Sequence, residues 1–357
     1  MNVSHQQASE ALLGQRSELA ATLVERQFAR HPELAQRYGR TGREKCLQDA
    51  GYHLSFLAQA VALDNQALFT DYVAWVKVML AQRRVMPADL ALHLGSMAEV
   101  LEEKLPAESG AVAAGFVRAA VAEMPSMPDE IPTFLDEGEP LTPLAHQYLG
   151  ALRRGERHVA SRLVLDAVAA GTSIPDIYLH VFEPAQHEVG RLWQINQMSV
   201  AEEHYCTAAT QLIMSQLYPQ IFAGAKRGIT MVATCVSGDI HELGVRMVAD
   251  LFEMDGWNTF YLGANTPHAS VIATVVERHA DVLAVSATIP FHIDAVRDLI
   301  RAVRQNPACA AVKVLAGGSP FNRNPELWRE VGADGFAMNA QQAVTIANRL
   351  IGERRAA

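Results

Sequence analysis

From Ile229 onward, short β-branched runs alternate with helical stretches of about a dozen residues, and this alternation leaves few folds open. Strands are predicted at Ile229 to Val236, Thr259 to Leu262, Val282 to Val285, Val312 to Leu315 and Gly335 to Ala337. A helix after each strand returns the chain to the end where that strand began, so successive strands run parallel with right-handed crossovers. Residues 225–357 are therefore predicted to form a doubly wound, Rossmann-like α/β domain with ligands at the carboxyl ends of its strands.

Upstream the pattern is helical. Leu144 to Val168 and Ile177 to Leu192 are amphipathic. Ser199 with Glu202 matches a capping box that opens a third helix, and a fourth is expected through about Leu217. Residues 141–224 suit a four-helix bundle. Residues 123–140, EMPSMPDEIPTFLDEGEP, hold four prolines, six acidic residues and no basic one, which predicts an extended linker. Before it, apolar residues recur at three and four in Leu54, Leu57, Val61 and in Phe69, Tyr72, Val73, Val76, Leu80, and Pro87 opens another helix. Residues 1–122 are predicted to be an all-α domain.

A chain of 357 residues is too long for a single small module. No apolar run reaches the ~18 residues of a membrane helix, and the start MNVSHQQASE is no signal peptide, so the expected address is the cytoplasm. A net charge of -9 argues against direct nucleic-acid binding. Cys46, Cys206, Cys235 and Cys309 form no CxxC pair and are expected to be buried thiols. No acid/base pair or nucleophile constellation stands out, so the chain is not expected to be an enzyme.

The loop after the first strand reads Val236-Ser237-Gly238-Asp239-Ile240-His241-Glu242-Leu243-Gly244. It lacks the glycines of a phosphate loop and offers an Asp and a His two residues apart. Such a His presents one ring nitrogen to a metal while Asp239 holds the other. A single His means that the metal brings most of its own ligands, as in a porphyrin-like or corrin macrocycle. The plainer reading is that Asp239 caps the helix starting near Glu242 and His241 is a solvated loop residue.

Asp239-x-His241-x-x-Gly244 resembles the signature of cobalamin-binding domains, and Ser286-Ala287-Thr288 and Gly317-Gly318 follow in the matching order. The resemblance implies that His241 replaces dimethylbenzimidazole as the lower cobalt ligand, and that Ser237, Gly238, Ser286, Thr288, Gly317 and Gly318 line the cofactor and its nucleotide tail. Thr288 stands where Leu is usual. Ser286 is expected to bond the tail or support His241.

Trp193, nine residues, then Glu203-His204 resembles the cap of light-sensing cobalamin repressors, over roughly residues 141–357. That likeness implies adenosylcobalamin under Trp193, with Glu203 on its ribose and release by light. Two departures stand out. Gln194 occupies the place of a His that caps cobalt after photolysis, and an amide is a poor cobalt ligand. No winged-helix DNA-binding domain precedes the cap.

In its place, Asp49, Tyr52, His53, Phe56, Tyr72 and Trp75 concentrate on helices, and the stretch resembles the globin-like domain of photocobilins, which combine cobalamin with a bilin. It implies a biliverdin-type bilin held by His53, Tyr52, Tyr72 and Trp75, with propionates on Arg40, Arg83 or Arg84, and conceivably a thioether to Cys46. Asp49 and His53, four apart, are expected to bond on one face. The expected function is a cobalamin photoreceptor acting as a homodimer on a protein signalling partner. The alternatives are a corrinoid methyl carrier of a methyltransferase system, and a heme sensor with a cobalamin domain.

Overall fold

The computed structural model describes residues 3–356. The chain divides into two compact units, one up to Pro132 together with Gln194–Asn196, the other Thr133–Trp193 and from Gln197 on.

The first unit is all helical: α1 (Val3–Gly14), α2 (Arg16–Arg30), α3 (Pro32–Ala62), α4 (Gln66–Ala81), α5 (Pro87–Lys104) and α6 (Ala107–Glu123). Gly39 breaks the regularity of α3 at φ 64°, a left-handed conformation suited to glycine. Leu54, Leu57, Val61, Phe69, Tyr72, Val73 and Val76 are buried at the spacing that makes one apolar face. The proline-rich acidic segment is not simply extended. It starts as a 3-10 turn, Met124–Ser126, and the buried Lys77 ammonium donates to the carbonyls of Met124 (3.2 Å) and Met127 (2.8 Å) and pairs with Asp129. A buried ammonium needs acceptors, and a proline-interrupted backbone leaves carbonyls free to serve.

The second unit opens with a helical bundle: α7 (Thr142–Arg153), α8 (Arg157–Ala169), α9 (Ile174–Ile177), α10 (Glu183–Gln194), α11 (Val200–Gln216) and α12 (Tyr218–Ile221). The run Leu144 to Val168, read as one helix, is two, because Gly155 takes φ 75° between them. A π turn, Tyr178–Phe182, joins α9 to α10 into one rod. Ser199 and Glu202 form both bonds of the capping box, and the helix they open runs unbroken to Gln216, where two were predicted.

The five strands fall where they were predicted: β1 (Thr230–Cys235), β2 (Asn258–Tyr261), β3 (Val282–Ser286), β4 (Lys313–Gly317) and β5 (Gly335–Ala337). All pair parallel, in the order β2-β1-β3-β4-β5. The crossovers are α13 (Leu243–Met254), α14 (His268–Glu277), α15 (Ile293–Gln305) and the short α16 (Ser319–Arg323) and α17 (Leu327–Glu330), and α18 (Ala340–Ala356) packs back beside α13. Met231, Ala233, Phe252, Trp257, Leu315 and Ala347 form one buried layer between sheet and helices. Because β1 leads to β2 on one side and β3 lies on the other, the order reverses between β1 and β3, and the crevice beyond their carboxyl ends is where this fold takes ligands. Among the described residues no helix is long and apolar enough to cross a membrane.

Candidate functional site

Two loops flank that crevice: residues 236–242 after β1 and residues 287–292 after β3. Asp239 lies between them, fully buried. Its Oδ1 accepts from the His241 amide (2.9 Å) and bonds His241 Nδ1 (2.8 Å), and its Oδ2 accepts from the Thr288 amide (2.6 Å). Burial alone pushes the Asp239 pKa up. The His241 ring, the nearby His292 and the amides of His241 and Thr288 override that and hold the carboxyl well below the usual range. Asp239 is therefore a fixed anion, and it is not a helix cap, since α13 begins at Leu243 with no side-chain cap.

The His241 side chain is half exposed while its Nδ1 is committed to Asp239, so Nε2 is the nitrogen offered outward. The Asp239 bond raises the His241 pKa against the lowering effect of burial, and the Glu203 carboxylate adds to the rise from α11. The cap thus lies within electrostatic reach of the loop. Glu203 accepts from Thr207 Oγ1 (3.1 Å) and lies 3.4 Å from the exposed His204. Glu242 fastens the loop to the bundle, accepting from Gln211 Nε2 (2.9 Å) and from the Ala264 amide (3.0 Å). Tyr178 donates to Asp250 on α13 (2.8 Å), and Arg246 reaches Ser215 and Tyr218.

The remaining expected residues are placed as follows. Ser237 and Gly238 form the turn before Asp239, with the Gly238 amide donating to Asn265 Oδ1 (2.8 Å). A side chain at Gly244 would meet nothing within 4 Å, so the first turn of α13 is open to an approaching group. Ser286 pairs β3 to the β1 loop through its carbonyl, but Thr288 supports Asp239 in the role expected of Ser286, and does so through its backbone. The substitution of Leu by Thr there leaves that bond untouched. Gly317 ends β4, and Gly318, at φ 100°, packs so closely that a Cβ would lie 2.0 Å from the Ala287 carbonyl oxygen. Trp193 is half-buried at the end of α10. Gln194 is buried in the first unit, where its amide donates to the Trp75 carbonyl (3.0 Å).

Comparison with known proteins shows the family. The B12 binding domain family matches residues 229–345, and a second B12 binding domain family, the helical one, matches residues 144–218. Dimethylamine corrinoid protein 3 of Methanosarcina mazei is 30% identical over 165 residues, 46% of this chain and 95% of that protein. The chain belongs to the B12-binding corrinoid proteins. A corrinoid protein of Desulfitobacterium hafniense is 26% identical over 211 residues, 57% of this chain and 95% of its own length. The solved monomethylamine corrinoid protein of Methanosarcina barkeri shares the fold, with a TM-score of 0.52 at 22% identity over 58% of this chain and 98% of that one. The cofactor is a corrinoid, and the residues fit it: one outward imidazole anchored on a buried anion suits a metal that brings an equatorial ring of its own. His292 was not singled out in the sequence; its signal is a second histidine on the loop after β3, at the same sheet edge as His241.

Neither family match reaches the N-terminal helices. There, His53, Tyr72 and Trp75 lie together among the residues expected to hold a bilin. Tyr52 is 62% exposed, and Arg40 is exposed and paired with Glu44. Tyr72 and Phe56 stack directly at 3.8 Å between ring centroids, which leaves no gap for a flat pigment between them. His53 bonds Tyr72 Oη (2.7 Å) where a bond to Asp49 was expected, and its ring meets His93 edge-on at 5.2 Å. Trp75 stacks beyond Tyr72 at 6.4 Å. Arg83 donates to the Met79 and Gln194 carbonyls. Cys46 is half-buried, with its thiol pushed up to about 12 by burial, which argues against a reactive thiolate.

Proposed function

We propose that this protein is a corrinoid methyl carrier that presents cobalamin to a methyltransferase partner, with His241 as the lower cobalt ligand. The observation that carries this reading is the Asp239–His241 couple at the β1/β3 crevice, in a chain whose bundle and α/β layers are related to a dimethylamine corrinoid protein. When bound, cobalamin supplies a cobalt centre that takes up and gives away a methyl group. Asp239 fixes the tautomer of His241 so that Nε2 carries the lone pair, and the buried charge keeps that ring from turning. Glu242 and Gln211 hold the loop against the bundle, and Glu203 on α11 acts electrostatically on His241. The chain itself performs no acid or base step, so the chemistry at the methyl donor and acceptor belongs to partners.

Adenosylcobalamin photosensing is the second reading. It is favoured by the Trp193 and Glu203 spacing, with Glu203 acting electrostatically on His241, and by a whole helical unit that methyl carriage does not use. One experiment separates the two. Holoprotein loaded with adenosylcobalamin is run by analytical ultracentrifugation in the dark and after green light, and the reduced holoprotein is treated with methyl iodide. Carriage predicts an unchanged sedimentation coefficient and a protein-retained methylcobalamin spectrum. A light-driven change in sedimentation, or failure to retain the methyl group, contradicts it.

A further inference from the structure

His292 is buried, only 5% exposed, and neither of its ring nitrogens has a hydrogen-bond partner. Nδ1 lies 3.4 Å from Asp239 Oδ2, close enough to feel the charge but outside hydrogen-bond geometry. Such a side chain is costly, because a buried polar atom that has lost water normally finds a replacement. The surroundings say where the replacement comes from. The ring sits on the loop after β3, on the β1/β3 crevice, and Nε2 faces Gly238 of the loop after β1. A Cβ added to Gly238 would lie 3.4 Å from Nε2, so the missing side chain leaves the space in front of that nitrogen clear. Gly238 takes φ 90°, a conformation that glycine adopts freely, so this position is suited to carrying no side chain.

We propose that His292 is a positioning residue for the nucleotide tail of the corrinoid, accepting a hydrogen bond from the tail's ribose hydroxyl at Nε2. The inference rests on the corrinoid assignment above. The proton sits on Nδ1 because the ionised Asp239 oxygen is beside it, and a neutral imidazole with its proton on one nitrogen is an acceptor at the other. A hydroxyl supplies the missing donor, and among the parts of a cobalamin the ribose of the tail carries one. The same carboxylate then organises both ends of the cofactor contact: Oδ1 holds the ligand for cobalt, and Oδ2 faces the ring that reads the tail. His292 thereby selects complete corrinoids over those that lack the nucleotide.

The test compares hydroxocobalamin with aquocyanocobinamide, which has no nucleotide tail, by spectroscopic titration of the full-length protein. Wild type must bind hydroxocobalamin; if it does not, the corrinoid reading itself fails and not this refinement of it. His292→Leu, which keeps volume but no acceptor, is expected to weaken hydroxocobalamin at least tenfold and leave cobinamide within twofold of wild type. His292→Gln, whose carbonyl accepts, is expected to recover most of the loss. Equal losses for both corrinoids, no loss for either, or no recovery with Gln overturns the proposal. Thermal melts of the free variants accompany the titrations, and if the Leu variant does not fold, His292→Ala takes its place with the same expected and overturning outcomes.

Discussion

Asp239 shows how much of the site is settled by a single residue. It is buried without being neutral, because four groups on two loops stabilise its charge, and that charge orients His241. Asp239→Asn keeps the shape and removes the charge; loss of the carboxylate that holds a metal-ligating imidazole typically costs about 10–100-fold in affinity, and a fall of about that size is expected for cobalamin. An unchanged dissociation constant would show that the carboxylate does not serve the ligand. Asp239 and His241 were legible because they are two residues apart in a motif. His292 was not, because only the pairing of β1 with β3 brings it beside Asp239. Local spacing reveals contacts within a loop, and contacts between loops wait for the sheet.

At the scale of elements, two glycines of the site make opposite predictions. Gly318→Ala forces an L-residue to φ 100° and places a methyl 2.0 Å from the Ala287 carbonyl oxygen. It should destabilise the chain by at least the ~1–3 kcal/mol of backbone strain. Gly244→Ala meets no atom within 4 Å on α13 and should leave stability equal or raised by up to ~1 kcal/mol. Urea titrations of both variants check this, and equal effects would contradict the close approach at β4. In the first unit, burial lowers the pKa of His53 well below its ordinary value and that of His93 to about 4. The unfolded chain therefore takes up these protons first, so their contribution is present above about 6.5 and is lost as the pH falls toward 4. Wild type should lose more melting temperature between pH 7.5 and pH 5 than His93→Gln does; an equal loss contradicts this. The strands were readable because β-branched runs bounded by turn residues have few other uses, whereas the break at Gly155 was hidden by an apolar period that continues across it.

At the scale of the whole molecule, the corrinoid relatives account for the bundle and the α/β layers and leave the first unit to be explained. Its aromatic residues are expected to wall a pigment; Tyr72 is buried, while Phe56 and Trp75, stacked on either side of it, are only half-buried. Helical periodicity carries no information about whether rings face each other across a gap or touch, so this part of the sequence was not legible. The corrinoid half was, because its motifs recur on successive strands in a fixed order. The central claim, a cobalamin held through His241, is tested most directly by electron paramagnetic resonance of the cobalt(II) holoprotein made with 15N-histidine and unlabelled cobalamin. The account predicts that each high-field cobalt line splits into a doublet, from a 15N imidazole below the metal. A triplet, from the 14N of the cofactor's own base, would contradict it.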